Sequence, residues 1–214
     1  MLTTGRSTAG PGLSGVTLVE LLVGLTILCL GLLTVAPSMS TWLRNAQVRA
    51  QAESLQNGLH MARAEAVRRN TPVRFQLTSD LSDSCTLVTM GTQWVINLGS
   101  SVSPAAHCAS AISDSASPFL LQRSAGSSGL NSAQISASQS TLAFDSLGRL
   151  LATSNPNTSA GSNVIFQVTL PGATCLALAG PVRCLNLVVS PGGQVRLCDP
   201  SLSSSQAADR AQAC

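Results

Sequence analysis

Along the chain the spacing of apolar residues changes twice, and each change marks an element. Residues 1–15, MLTTGRSTAGPGLSG, are small and polar, with Arg6 the one charge, and predict a leader peptide rather than a folded element. Residues 16–36 follow as 21 nearly unbroken apolar positions. As a helix such a run is about 31 Å long, the depth of a bilayer's hydrocarbon core, so 16–36 is predicted to span a membrane. Pro37 predicts a kink at its end. In 37–70, Val48, Ala52, Leu55, Leu59, Ala62 and Ala66 recur at intervals of 4, 3, 4, 3 and 4, the single stripe of an amphipathic helix that lays one side on a domain. Charged residues take the other positions, with Glu65 four before Arg69 in the favourable order.

At Asn70-Thr71-Pro72 the period falls to two. Pro72 disfavours helical backbone at Thr71, and Val73 to Leu77 alternates as a strand does. Further strands are predicted at 85–90, 93–98, 119–123, 141–145, 163–170, 182–190 and 194–198, separated by loops rich in Ser, Ala, Gly and Asn at 99–118, 124–140 and 153–162. Two turns stand out. Asp145 to Gly148 turns a hairpin with Leu142 and Phe144 on one face, and Pro191-Gly192-Gly193 turns another, after which Gln194, Arg196 and Cys198 share a face. One long helix followed by a run of strands is an α+β fold, the helix packed on a largely antiparallel β-sheet in 71–214.

Composition sharpens this in one respect. Aromatic residues are 3% and charged residues 10% of the chain, so burial per residue is modest and the core is expected to be thin. A net charge of +3 is too small to argue for nucleic acid. Cys29 lies in the apolar run and reads as helix filler, whereas Cys85, Cys108, Cys175, Cys184, Cys198 and Cys214 all lie beyond it. No pair is C-x-x-C, and the last gaps, of 8, 13 and 15 residues, fit no zinc site, so no metal is expected. Disulfides in an oxidising compartment compensate for a thin core instead, which puts the domain outside the cytoplasm and the N terminus inside. Six cysteines allow many pairings; favouring sequence neighbours gives Cys85 with Cys108, Cys175 with Cys184 and Cys198 with Cys214.

The carboxylate at Glu20 needs a reason, because a charge at this depth of a membrane costs several kcal/mol unless it is paired. Gly15-Val16-Thr17-Leu18-Val19-Glu20 resembles the cleavage motif of the type IV prepilins: a Gly, an apolar residue, a hydroxyl residue, two aliphatics and a Glu. The resemblance implies that a prepilin peptidase cuts between Gly15 and Val16 and methylates the new amine of Val16. It implies that Glu20 then pairs with the terminal amine of a neighbouring pilin, two buried charges being tolerable together and costly apart. Val16 departs from the Phe usual there. The implied location is the bacterial inner membrane, single-pass with a periplasmic domain, and the pilus fibre or pseudopilus after assembly. A secretory signal peptide cut near Ala36 fits less well, since the apolar run is too long and lacks an A-x-A site; a lipoprotein anchored at Cys29 would need a small residue where Leu28 stands.

A second resemblance is independent of the first. The run from Met61 to Val73, MARAEAVRRNTPV, is similar to the helix-to-strand junction of the GspH/FimT family of minor pilins and pseudopilins. It implies assembly with other pilins through the N-terminal helix, in a type IV pilus or in a type II secretion system. Members of the FimT branch linked to DNA uptake carry a C-terminal Gly-Arg-x-Arg turn. Here that run is Gly193-Gln194-Val195-Arg196, so DNA contact would rest on Arg196 with help from Arg183 or Arg149, each neutralised phosphate supplying part of a salt-sensitive affinity. No nucleophile or carboxylate spacing ties to His60 or His107, and no Gly-rich phosphate loop is present, so neither an enzyme nor a cofactor is expected.

Overall fold

The computed structural model describes residues 15–99, 102–125, 132–152, 161–202, 205 and 212–214, and for 33–38 the backbone alone. The Pro37 side chain, residues 1–14 of the predicted leader, and residues 126–131 and 153–160 of the predicted loops 124–140 and 153–162 lie outside what is described. The chain divides into two compact units, Met1–Ser40 and Thr41–Cys214. Helix α1, Leu18–Arg69, begins in the first.

In the second unit the helix is held by the stripe read from the sequence: Val48, Ala52, Leu55, Leu59, Ala62 and Ala66 are all fully buried. The helix stops where the chain turns left-handed at Asn70, φ 50°, a conformation asparagine tolerates better than most residues, and the Thr71 N–H reaches back to the Ala66 carbonyl at 3.3 Å. Strand β1, Val73–Thr78, leaves at once and becomes the centre of a five-stranded sheet. Its neighbours are β3, Gln93–Leu98, and β6, Thr141–Phe144; β4, Leu120–Arg123, and β7, Leu150–Leu151, form the edges. A second five-stranded sheet orders β10, Val195–Cys198; β9, Leu185–Val189; β8, Val164–Thr169; β5, Gln134–Ala137; and β2, Met90–Gly91. Every pairing is antiparallel. One core joins helix and sheets: Phe75 stacks obliquely on Trp94 at 5.4 Å and meets Phe166 edge-on at 6.1 Å.

The sheets differ from the sequence expectation in three places. β5 lies inside the stretch 124–140 read as loop; its one large apolar residue, Ile135, is fully buried, and pairing with β8 and β2 supplies the rest. The strand expected at 85–90 shrinks to β2 and a lone bridge between Leu87 and Thr78, since this segment is held by Cys85 instead. And β1 is buried on both faces. Its polar face, Arg74, Gln76 and Thr78, is buried as well: Gln76 Nε2 donates to Asn97 Oδ1 on β3 at 2.9 Å, and Asn97 Nδ2 donates to the Val102 carbonyl at 2.9 Å. Burial pushes the Arg74 guanidinium down to about 10, which leaves it charged at neutral pH.

Disulfides pin three connections: Cys85–Cys108, Cys175–Cys184 and Cys198–Cys214. The first is buried with Val95 and Leu120 in a small satellite core.

Candidate functional site

Thr17 sets the geometry of the N-terminal segment. Its carbonyl accepts the Leu21 N–H at 3.1 Å and its Oγ1 accepts the Glu20 N–H at 3.3 Å, which makes it the cap of α1. Thr-x-x-Glu is the capping-box pattern, and it moves the helix start to Leu18. Val16, expected to be helical, therefore lies with Gly15 in an exposed stub ahead of the cap. Among the described residues a Cβ built on Gly15 meets nothing within 4 Å.

Glu20 stands in the first turn of α1, where the unpaired N–H groups of a helix end favour a negative charge. Its side chain has no hydrogen bond or ion pair among the described residues and is exposed. The apolar side chains around it, from Leu18 to Leu32, are exposed too, as is Cys29, which has no disulfide partner. Among the described residues no helix is long and apolar enough to cross a membrane; the side chains of the predicted span are described only as far as Leu32.

The three arginines considered for DNA each have an acceptor within the chain. Arg149 sits in the β6–β7 turn with Nη2 3.0 Å from Asp145. Arg196, on β10, donates from Nη1 to the Ala213 carbonyl at 3.1 Å. Arg183 donates to Asp199, while its own N–H is accepted by Asn45 Oδ1 at 2.8 Å. Burial acts to raise the Asp199 pKa, but the Ser201 hydroxyl and N–H and the Arg183 guanidinium outweigh it and hold the carboxyl below the usual range. Each guanidinium thus already serves an acceptor within the chain.

What the structure does bring together is the pair of turns. Both Gly148 and Gly193 have positive φ, and a Cβ on Gly193 would fall 1.8 Å from the Gly148 carbonyl oxygen. That same oxygen accepts Arg63 Nε at 3.0 Å, so one helix arginine clasps two hairpin tips from 85 residues away. Arg63 is one of the charged residues outside the apolar stripe, and spacing on the helix carries no signal for this contact. The sequence reading missed Thr17 as a cap, although Thr-x-x-Glu ahead of an apolar run was there to be read. His60 and His107 are exposed, and His60 lines a shallow hollow with Arg63 and Arg68.

A long helix with a capped, exposed apolar start, packed further on against two antiparallel sheets, defines a protein of the pilin class of α+β architecture. Residues 51–193 match the family of the type II transport protein GspH, and the chain belongs to that family. It is similar to two crystal structures of the type IV minor pilin FimU of Pseudomonas aeruginosa strain PAO1. The P21 form has 16% identity and a TM-score of 0.45, over 75% of this chain and 92% of that one. The P65 form has 18% identity and a TM-score of 0.42, over 74% and 94%. No curated protein sequence matches the chain.

Proposed function

We propose that this protein is a minor pilin of a type IV pilus, which acts by polymerising through its N-terminal helix. The observation that carries the reading is the segment Gly15–Glu20: an exposed Gly15 and Val16, a helix capped at Thr17, and a Glu20 one turn on that has no partner among the described residues, within a run of exposed apolar residues. In this reading 16–36 anchors the subunit in the inner membrane, a prepilin peptidase cuts after Gly15 and methylates Val16, and 71–214 folds in the periplasm. Glu20 then neutralises the terminal amine of an adjacent subunit, which removes the cost of holding either charge in an apolar setting.

A second reading shares all these steps and differs in partners: a minor pseudopilin of a type II secretion system. The match to the type II transport protein GspH favours it.

The mass of the mature N terminus tests the common part. A chain that begins at methylated Val16 is expected, and one that begins after Ala36 refutes it. Glu20→Ala is expected to stay in the membrane and fail to enter filaments; normal incorporation would show that this carboxylate is not the pairing element. Co-purification of the native protein with pilus or with secretion-system subunits separates the two readings.

A further inference from the structure

The second unit begins at Thr41, four residues past Pro37, and its first helical turns are flanked by the domain on two sides. A cleft of about 540 Å³ lies among Trp42, Asn45, Arg49, Arg183 and Asp199. A second, of about 220 Å³, lies among Leu43, Arg44, Leu170 and Pro171. The connection 170–184 contributes to both walls. It is closed on itself by Cys175–Cys184 and tied to the helix by the Arg183–Asn45 hydrogen bond. Its tip, the single 3-10 turn Leu176–Leu178, buries nothing, and Leu178 is 75% exposed; Trp42 is 66% exposed.

Among the described residues the one unpaired charge of this rim is positive. No carboxylate occurs between Glu20 and Glu53, and none in 170–184. Asp199 is bound by Arg183 and Glu53 by Arg49, while Arg44 has no ion-pair partner among the described residues. Such a surface is not complementary to a second copy of itself. An exposed tryptophan, leucines on a clipped loop and an arginine without counter-charge are instead the side chains that settle at the level of lipid headgroups, the ring and stems in the apolar boundary and the guanidinium group on phosphate. We propose that this rim, Trp42 and Arg44 with the Cys175–Cys184 loop, is a lipid-docking surface that seats the domain on the anionic headgroups of the membrane. The inference rests on the reading of 16–36 as the anchor and adds a second, reversible contact to it. That contact holds the unassembled subunit close to the bilayer and must be released when the subunit enters a filament.

The test uses the full chain with Trp42→Phe and Leu178→Trp, reconstituted into bilayers of phosphatidylcholine with or without phosphatidylglycerol, plain or brominated. Trp94, buried in the core, serves as an unquenched internal reference. Bromolipid quenching of the indole at position 178 is expected in the anionic bilayer. It should weaken in phosphatidylcholine alone and on adding Arg44→Gln, with the docked-to-undocked ratio falling about fivefold for one basic residue lost near the surface. A chain that stays in the bilayer with that indole unquenched overturns the docking surface and leaves the anchor standing; a chain recovered outside the bilayer overturns both. Equal quenching in the two lipids overturns the headgroup role of Arg44, and a blue shift that follows protein concentration rather than bromine assigns the rim to another copy instead.

Discussion

At Gly58 the helix lies close against the sheets, and its replacement sets two effects of similar size against each other. A Cβ built there lies 2.9 Å from Phe75 Cε2 and from Trp94 Cζ2 and Cη2. Carbon atoms rest at about 3.5–4.0 Å, so the added methyl must displace two buried rings that already touch at 5.4 Å. Overpacking of this kind costs about 1–3 kcal/mol. Against it, alanine is favoured over glycine inside a helix by about 1 kcal/mol. The rings are held on every side by the core, so the packing term should win, and Gly58→Ala is expected to destabilise by about 1 kcal/mol, a fall of about 2–4 °C in Tm for a domain of this size. Gly58→Val should cost more. Urea unfolding followed by far-ultraviolet circular dichroism measures both. A cycle with Trp94→Phe isolates the cause, because phenylalanine lacks the outer indole atoms: the double variant should recover about 1 kcal/mol relative to the sum of the single ones. If Gly58→Ala instead raises stability by the full helix-propensity difference, with no coupling to Trp94, the close approach is not the constraint argued here.

Other expectations are smaller in scope. Thr17→Ala removes the cap and should fray the start of α1 at a cost of about 1 kcal/mol, seen as faster amide exchange at Val19 to Leu21, with Thr17→Ser close to wild type. The Arg68 and Arg69 guanidinium groups hold Glu65 below its ordinary 4.5, and Arg69 holds Asp114 below 3.8. Both folded values are depressed, so their stabilisation is complete above the ordinary values and is lost as pH falls through the folded ones. Protection of the 99–118 connection should therefore decline below 4.5, and Asp114→Asn should flatten the lower part of that decline. Replacing Cys85 and Cys108 together by serine opens a loop of 23 residues and should cost about 3 kcal/mol in denaturant unfolding; a loss below about 1 kcal/mol would argue against the bridge.

Much of the architecture could be read from side-chain spacing because the core selects by period. All six residues of the helix stripe are buried, and β3 has the bounds that alternation predicts. Both glycine turns could be read as well, since positive φ at Gly148 and Gly193 demands that residue type. What spacing could not convey was cover. Arg74 and Gln76 alternate with Val73, Phe75 and Leu77 like the polar side of a half-exposed strand, yet both are buried, and nothing local announces that Asn97, 21 residues on, takes up Gln76. β5 was hidden for the opposite reason: its residues are mostly small and polar, and it is a strand because β8 and β2 lie on either side of it. In the candidate site, Gly15, Val16 and Glu20 are close in sequence, so their motif can be read directly. Arg63 works across 85 residues and cannot be.

The three disulfides join cysteines only 23, 9 and 16 residues apart, and none ties the helix to a sheet. The helix is therefore fastened to the sheets by apolar packing, while the clips lie within the sheet domain: Cys85–Cys108 spans β2 and β3, and Cys175–Cys184 and Cys198–Cys214 close segments with no strand between the cysteines among the described residues. A lineage could lengthen, shorten or exchange either of the latter two without shifting a strand. Subunits that must stack on one shared helix while presenting different faces to their neighbours would diversify most readily by such an arrangement.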